Sequence, residues 1–335
     1  MNPQKIIDHI KKYINQKGFC FEDGMIENFY LCLKSKPFII LYGPDGCGKY
    51  TFASEFCSSI GANAEDGRFK VISVGADNYS KTDFLGYKNT DGDATEFIAK
   101  AIEDAGNPYF IYLDNMNMSN PDSYLYSVYT ALDTGRMAEA PSRFYPDNLY
   151  IIGSFDSDCD YYSLSLKIRN RASVIPMHMC DSKAKKEAKP IEPVLVKNDF
   201  LKQEYFDAYE INDTKLISYV YSLVDEINRS FCYIDREISY RCRNEILFYL
   251  MLNKEFNLLE EDQAFDNIIL QKILTRIEGN SAYIVTILSM LFKLCVPKGV
   301  GDYASSSLKM FRALTYPDCR YPKSAKKIAF MTKKY

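Results

Sequence analysis

Apolar residues follow two different periods along the chain. Helical spacing predicts two helices before residue 36 and further helices at 51–60 and 95–105. Short apolar runs predict strands at 38–41, 70–76, 109–114, 149–155 and 173–177. Such strands, alternating with helices, are typical of a parallel sheet covered on both faces. The pattern therefore predicts an α/β fold, with a five-stranded parallel sheet flanked by helices and the first strand in the middle.

The second half of the chain carries helical periods alone. Apolar stripes that begin near residues 216, 246, 268 and 284 are typical of the core of a helical bundle. Ahead of them, residues 181–210 shift to lysines, prolines and acids. We therefore expect two domains. Residues 1–190 form the α/β domain with its two leading helices, and residues 191–335 form a helical domain.

Composition limits the classes of function. With 47% hydrophobic residues the chain can bury a sizeable core, and its net charge of −3 provides no overall field that would hold nucleic acid. The stretch 320–335 differs, because it carries six Lys or Arg residues and no acid. It is either a solvated helix face or a local nucleic-acid contact.

Cysteine usage and hydropathy favour a cytoplasmic protein. The ten cysteines form no CxxC pair and the only histidines are His9 and His178, so metal-ligand spacing is absent. No apolar stretch approaches the ~20 residues of a membrane-spanning helix, and residues 1–18 lack the apolar core of a signal peptide. We expect reduced, buried cysteines and no membrane contact.

The stretch 38–51, FIILYGPDGCGKYT, joins a predicted strand to a predicted helix through a glycine loop. This order is typical of a phosphate-binding loop, in which glycines let successive N–H groups face an anion at a helix N-terminus. Lys49 would reach the β- and γ-phosphates. The alternative is a glycine-rich turn that binds nothing. The residues expected to bind nucleotide are Asp45, Gly46, Cys47, Gly48, Lys49, Tyr50 and Thr51.

Residue 50 departs from the phosphate-loop pattern. The position after the lysine normally holds Ser or Thr, whose hydroxyl is a ligand of the nucleotide-bound magnesium, whereas this chain has Tyr50. A phenol is too long to copy that ligand. Thr51 points about 100° further round the helix and would need a shift to replace it. We therefore expect nucleotide binding with weakened Mg2+ binding.

The third predicted strand ends in Asp114. An acid at that place, downstream of a phosphate loop, fits the carboxylate that holds Mg2+ directly or through water. The next residue is Asn115, at a position where Glu would be the general base that polarises the attacking water. An amide can orient water but cannot accept its proton at neutral pH. These residues predict impaired hydrolysis.

In combination, these segments resemble the AAA+ module of McrB-type restriction subunits. The similarity covers nearly the whole chain but not the family's N-terminal DNA-reading domain, which we expect to be absent. It rests on separated stretches in the family's order: MIENFYLCLKSKPFIILYGPDGCGK at 25–49, DFLGYKN at 83–89, YFIYLDNMNMSNPDSYL at 109–125, DNLYIIGSFDSD at 147–158, KIRNRASVI at 167–175, ISYRCRNEI at 238–246, QKILTRIEG at 271–279 and YPKSAKKI at 321–328. The resemblance implies an AAA+ P-loop NTPase fold with a C-terminal helical lid.

The resemblance also implies roles for individual residues. They are Lys49 as the phosphate lysine, Asp114 as the magnesium carboxylate, Asn117 as the asparagine after the third strand, Arg241 as the lid arginine that senses nucleotide, and Arg171, with Arg169 as the weaker candidate, as the arginine finger offered to a neighbouring subunit. Asp156 stands where the family usually has Asn. It places a potential negative charge near the γ-phosphate, which disfavours a triphosphate unless a cation or proton compensates.

Two functions remain open on these residues. In the first, the chain is a nucleotide-binding subunit of a restriction or anti-phage defence assembly, with degenerate catalytic residues and weak or absent NTP hydrolysis. In the second, it is an active NTPase motor that drives a McrC-like nuclease. Both imply ATP or GTP with Mg2+, a homo- or hetero-oligomeric ring, and nucleic acid contacted only indirectly or through a local basic patch. A separate nuclease activity lacks support, because no suitable cluster of acids, His or Cys occurs.

Overall fold

The computed structural model describes residues 2–75, 93–134, 145–157, 164–179, 190–202, 213–279, 283–296, 306–314 and 319–334. The chain divides into two compact units, Met1–Glu204 and Tyr205–Tyr335. The stretch 83–89, which contributed to the family resemblance, lies outside the described residues.

The first unit contains the predicted sheet. Its strands are β1 (Phe38–Gly43), β2 (Phe69–Ser73), β3 (Tyr109–Asp114), β4 (Leu149–Asp156) and β5 (Ser173–Pro176). They are all parallel, in the order β2-β3-β4-β1-β5. The five-stranded parallel sheet is confirmed, but the central strand is β4 and not β1. The reason is burial: every residue of β4 is buried, whereas β2 is largely half-exposed and β5 has only four residues, so these two suit the edges.

Helices flank this sheet. They are α1 (Pro3–Gln16), α2 (Met25–Ser35), α3 (Lys49–Ser59), α4 (Asp93–Glu103), α5 (Pro121–Tyr124), α6 (Tyr126–Thr134) and α7 (Leu166–Arg169), with 3₁₀ turns at Met116–Met118 and Asn198–Phe200. On one sheet face, Phe38, Ile40 and Ile111 belong to a large buried apolar cluster. Because strand residues alternate between faces, Tyr112 and Asp114 lie on the opposite face, where α3 packs against β1, β3 and β4.

The predicted domain boundary at residue 190 is too early. The segment that follows it belongs to the first unit, since Val194 N donates to Ser59 O at 2.9 Å and Tyr150 Oη donates to Asn198 Oδ1 at 2.8 Å. Asn198 and Tyr150 are both buried, so these bonds replace water that the polar groups would otherwise bind. The lysine-rich composition marked the end of the sheet but not the end of the unit.

The second unit is helical throughout its described residues. Its helices are α8 (Thr214–Phe231), α9 (Tyr240–Phe256), α10 (Glu261–Ile268), α11 (Tyr283–Cys295), α12 (Ser307–Ala313) and α13 (Pro322–Thr332), with a π-helical turn at Ile269–Ile273 and 3₁₀ turns at Cys232–Ile234 and Leu274–Arg276. Val224, Ile246, Ile273 and Leu288, one from each predicted stripe, are buried. The predicted helical region is therefore present.

Two buried cations of the second unit are structural. Arg276 is almost fully buried and donates to the carbonyls of Lys272 and Glu237. Lys272 forms a buried ion pair with Glu245, N to O 2.9 Å. Removal of one partner from such a pair leaves an uncompensated buried charge, so these residues maintain the packing of the helices.

Candidate functional site

The glycine loop between β1 and α3 has the backbone of an anion-binding turn. Gly46 and Gly48 have φ values of 72° and 88°, in the left-handed region that favours glycine. Asp45 Oδ1 accepts a hydrogen bond from Gly46 N at 2.7 Å, which holds the turn. The helix begins at Lys49, directly after Gly48, so its first N–H groups and its positive dipole end face the loop.

Lys49 is held by oxygens of its own chain. Its Nζ lies 2.7 Å from Asp156 Oδ1 and donates to Pro44 O at 2.7 Å and Gly43 O at 3.1 Å. The side chain is only 7% exposed. The strand register explains the ion pair, because Gly43 at the end of β1 is paired with Asp156 at the end of β4. The negative charge predicted for Asp156 is thus compensated by the phosphate lysine itself.

Asn117 holds the end of β4 in place. Its Nδ2 donates to Asp156 O at 3.2 Å, and its Oδ1 accepts from Asp156 N at 3.4 Å. Asn117 is almost fully buried, so this pair of bonds is shielded from water. Asn117 therefore fixes the backbone from which the Asp156 carboxylate reaches Lys49.

Asp114 is oriented by a serine that the sequence analysis missed. Ser154, on β4, donates from Oγ to Asp114 Oδ1 at 3.1 Å and accepts from Asn115 N at 2.9 Å. Asn115 has φ 55°, a left-handed conformation that Asn tolerates better than most residues. The available signal was the alternation within β4, which places Ser154 and Asp156 on one face.

Tyr50 packs on neighbouring aromatic rings. Its ring meets that of Tyr112 edge-on with centroids 5.4 Å apart, and lies 6.4 Å from Phe69. Half of the residue is exposed. Thr51 is half-buried on the next position of α3 and makes no hydrogen bond to Asp114 within the described residues. Neither side chain supplies the hydroxyl that a phosphate loop usually offers to magnesium.

Two family models match the chain. An AAA domain of the dynein-related subfamily matches residues 38–157, which contain the loop, Asp114 and Asp156. The chain contains an AAA+ ATPase-type domain. Residues 187–335 match a domain of unknown function, DUF8727.

The fold of this AAA+ chain also occurs among solved structures. A crystal structure described as a candidate ATPase from Cytophaga hutchinsonii superposes with a TM-score of 0.56 and 16% sequence identity. The alignment covers 86% of this chain and 95% of that chain. At this identity the likeness shows a shared fold. The comparison with curated proteins found no match.

Arg171 of the AAA+ domain is engaged within its own chain. Its guanidinium donates to both carboxylate oxygens of Asp133, at 3.2 and 2.5 Å, and to Lys167 O at 3.2 Å. It also lies over the ring of Tyr129, 5.3 Å from the centroid. The expectation that Arg171 points out of its subunit is therefore not met in the single chain. Its role as a finger stays a prediction that requires the Asp133 pair to open.

The other two arginines differ in setting. Arg169, the second finger candidate, is buried at the end of α7, which makes it the poorer donor to a neighbour. Arg241 lies in the first turn of α9 in the second unit and is exposed. Its role as a nucleotide sensor stays a prediction.

The residues fit a nucleotide well and magnesium in part. An AAA+ domain generally uses both, and the loop, the start of α3 and Lys49 provide the donors that a phosphate needs. For the cation, Asp114 and Asp156 offer carboxylates, but no cluster of three or more His, Cys, Asp or Glu occurs among the described residues. Mg2+ commonly binds through one or two carboxylates plus substrate phosphates, so its retention here depends on the nucleotide.

No helix within the described part of the chain is long and apolar enough to cross a membrane.

Proposed function

We propose that the chain is a McrB-like, nucleotide-binding AAA+ subunit of a restriction or anti-phage defence assembly, with weak or absent hydrolysis of ATP or GTP. The observation that carries this proposal is the Lys49–Asp156 ion pair inside a complete phosphate loop. The loop and Lys49 supply the means to bind a triphosphate. Asp156 supplies a competitor for the same ammonium group.

The competition lowers affinity without abolishing it. A phosphate that enters the loop displaces an Asp156 oxygen from Lys49, and the freed carboxylate then lies near a second negative group. Like charges a few Å apart in a partly buried site repel more strongly than in water. Because Asn117 fixes the backbone of Asp156, the carboxylate can leave only by a side-chain rotation.

Slow hydrolysis follows from residue 115. Ser154 binds the Asn115 N–H and the Asp114 carboxylate, so Asn115 stands directly after the carboxylate predicted to hold the metal. Its amide can orient a water molecule but cannot accept a proton from it. Loss of a general base typically lowers the rate by about 10²–10⁴-fold.

The alternative is an active motor subunit that assembles into a homo- or hetero-oligomeric ring and drives a McrC-like nuclease. Arg171 favours it. The Arg171–Asp133 pair is partly exposed, with 21% and 25% of the side chains accessible, so a neighbour's phosphate could replace the carboxylate at small cost.

Nucleotide binding measured beside turnover separates the two. Calorimetry with MgATP and MgGTP should show binding by the wild type, no binding by Lys49→Ala, and unchanged binding by Lys100→Ala, an exposed lysine of α4. The double variant Lys49→Ala/Asp156→Asn controls for the buried charge that Lys49→Ala alone leaves unpaired. Phosphate release should be near background. Robust turnover that is unaffected by replacement of Asn115 would return the protein to the motor class.

A further inference from the structure

Tyr112 carries a buried hydroxyl without an evident structural purpose. Its side chain is fully buried, and Tyr112 Oη has no hydrogen-bond partner among the described residues. Other buried tyrosines are bonded: Tyr124 Oη donates to Met116 O, and Tyr150 Oη donates to Asn198 Oδ1. An unsatisfied buried hydroxyl costs about 1–3 kcal/mol, so its retention calls for an explanation.

The position of Tyr112 points to the phosphate loop. It precedes Asp114 by two residues on β3, so both side chains lie on the sheet face covered by α3. The charges of Asp114 and Asp156 and the thiol of Cys47 all act on the phenol. Its ring is also the surface on which Tyr50, at the first helical turn after the loop, is packed.

The phenol can serve only as a neutral group in this setting. Burial raises the pKa of Tyr112 well above its ordinary value, and the neighbouring carboxylates raise it further, although the nearby Ser154 hydroxyl opposes them. The O–H therefore keeps its proton at neutral pH. A protonated hydroxyl beside a phosphate loop is a hydrogen-bond donor to an anion.

We propose that Tyr112 is a further nucleotide-contacting residue, whose hydroxyl donates a hydrogen bond to a phosphate oxygen of the nucleotide in the loop. It would supply the hydroxyl that position 50 does not, from the adjacent strand instead of from the helix. This inference rests on the proposed function. It adds a phosphate contact and no base contact, so it applies equally to ATP and GTP.

Removal of one oxygen atom tests the proposal. Tyr112→Phe removes the hydroxyl, and Tyr109→Phe is a matched control on the same strand, where the phenol lies on the other face and donates to Asp104 Oδ2 at 3.1 Å. Full-length wild type and both variants are titrated with MgATP, MgGTP and inorganic pyrophosphate by calorimetry. Thermal unfolding of each is recorded without ligand.

The expected pattern separates ligand binding from stability. Tyr112→Phe should raise Kd about tenfold for all three ligands, since a hydrogen bond to a charged group is lost, while its unliganded Tm is unchanged or higher. Tyr109→Phe should leave Kd unchanged and lower Tm. Unchanged affinity in Tyr112→Phe overturns the proposal, with or without a fall in Tm, and so does a loss confined to one base. If the wild type binds and Lys49→Ala does not, that failure leaves the proposed function intact; a wild type that binds none of the ligands overturns both.

Discussion

Lys49 Nζ and Asp156 Oδ1 lie 2.7 Å apart, although the two residues are separated by more than a hundred positions in the chain. The parallel pairing of β1 with β4 sets Gly43 opposite Asp156. The loop then turns the chain so that Lys49 points back to the strand ends. The cation on which phosphate binding depends therefore already has a carboxylate partner.

Asp156→Asn should raise affinity for MgATP and MgGTP. The amide keeps the size of the side chain but removes the competing charge, so we expect about a tenfold fall in Kd, equivalent to about 1.4 kcal/mol. Calorimetry checks this. Asp147→Asn is the matched control, because Asp147 precedes β4 at the opposite end and is largely exposed in its pair with Lys202. Equal affinities in wild type and Asp156→Asn would contradict the prediction.

Restoration of two side chains should raise hydrolysis. Asn115→Glu with Tyr50→Thr supplies a general base and a short hydroxyl, and phosphate release should rise by about 10²-fold or more. Addition of Asp156→Asn should give a further gain, and Lys49→Ala should abolish it. Glu at residue 115 must adopt φ 55°, at a cost of about 1–2 kcal/mol, so Tm is measured in parallel. A folded triple variant as inactive as the wild type would refute this explanation.

Release of Arg171 should favour assembly. Asp133→Asn weakens the pair that holds the guanidinium, and because the pair is partly exposed the loss of stability should be about 0–1 kcal/mol. Sedimentation with saturating MgATP or MgGTP should show more oligomer for Asp133→Asn and less for Arg171→Ala. Asp262→Asn, which weakens the exposed Arg320 pair in the second unit, is the control. A monomer in all cases would exclude Arg171 as a finger.

Two aspartates should give the second unit opposite pH dependences. Burial raises the pKa of Asp266, which accepts from Lys323 N and Ser324 N. Its contribution to the free energy of unfolding is complete below the unfolded pKa, about 3.9, and is lost as pH rises through the folded pKa. The hydrogen bond from Lys254 lowers the pKa of Asp213, so that contribution is present above the unfolded pKa and is lost as pH falls.

Urea unfolding of wild type, Asp266→Asn and Asp213→Asn from about pH 3 to pH 7 checks both signs. The stability of the wild type relative to Asp266→Asn should decrease as pH rises, and its stability relative to Asp213→Asn should increase. A constant difference across the range in either comparison would contradict the corresponding assignment.

Local signals in the sequence were sufficient for the elements and the loop. The third strand was predicted at 109–114 and occupies Tyr109–Asp114, because a continuous apolar run ended by an acid has few alternatives. Gly46 and Gly48 adopt the left-handed conformations that the loop motif requires. The helical periods after residue 213 likewise predicted a helical unit, since a repeating apolar stripe is a property of a single segment.

Contacts between distant segments were decided only by the tertiary structure. The order of the strands, the Lys49–Asp156 pair, the Ser154 bond to Asp114 and the Arg171–Asp133 pair all depend on which strand ends and helices become neighbours. Tyr112 read as one more apolar position in a buried strand, and only its packing left the hydroxyl without a partner. Sequence patterns specify which face a residue takes, whereas register between strands specifies what that residue meets there.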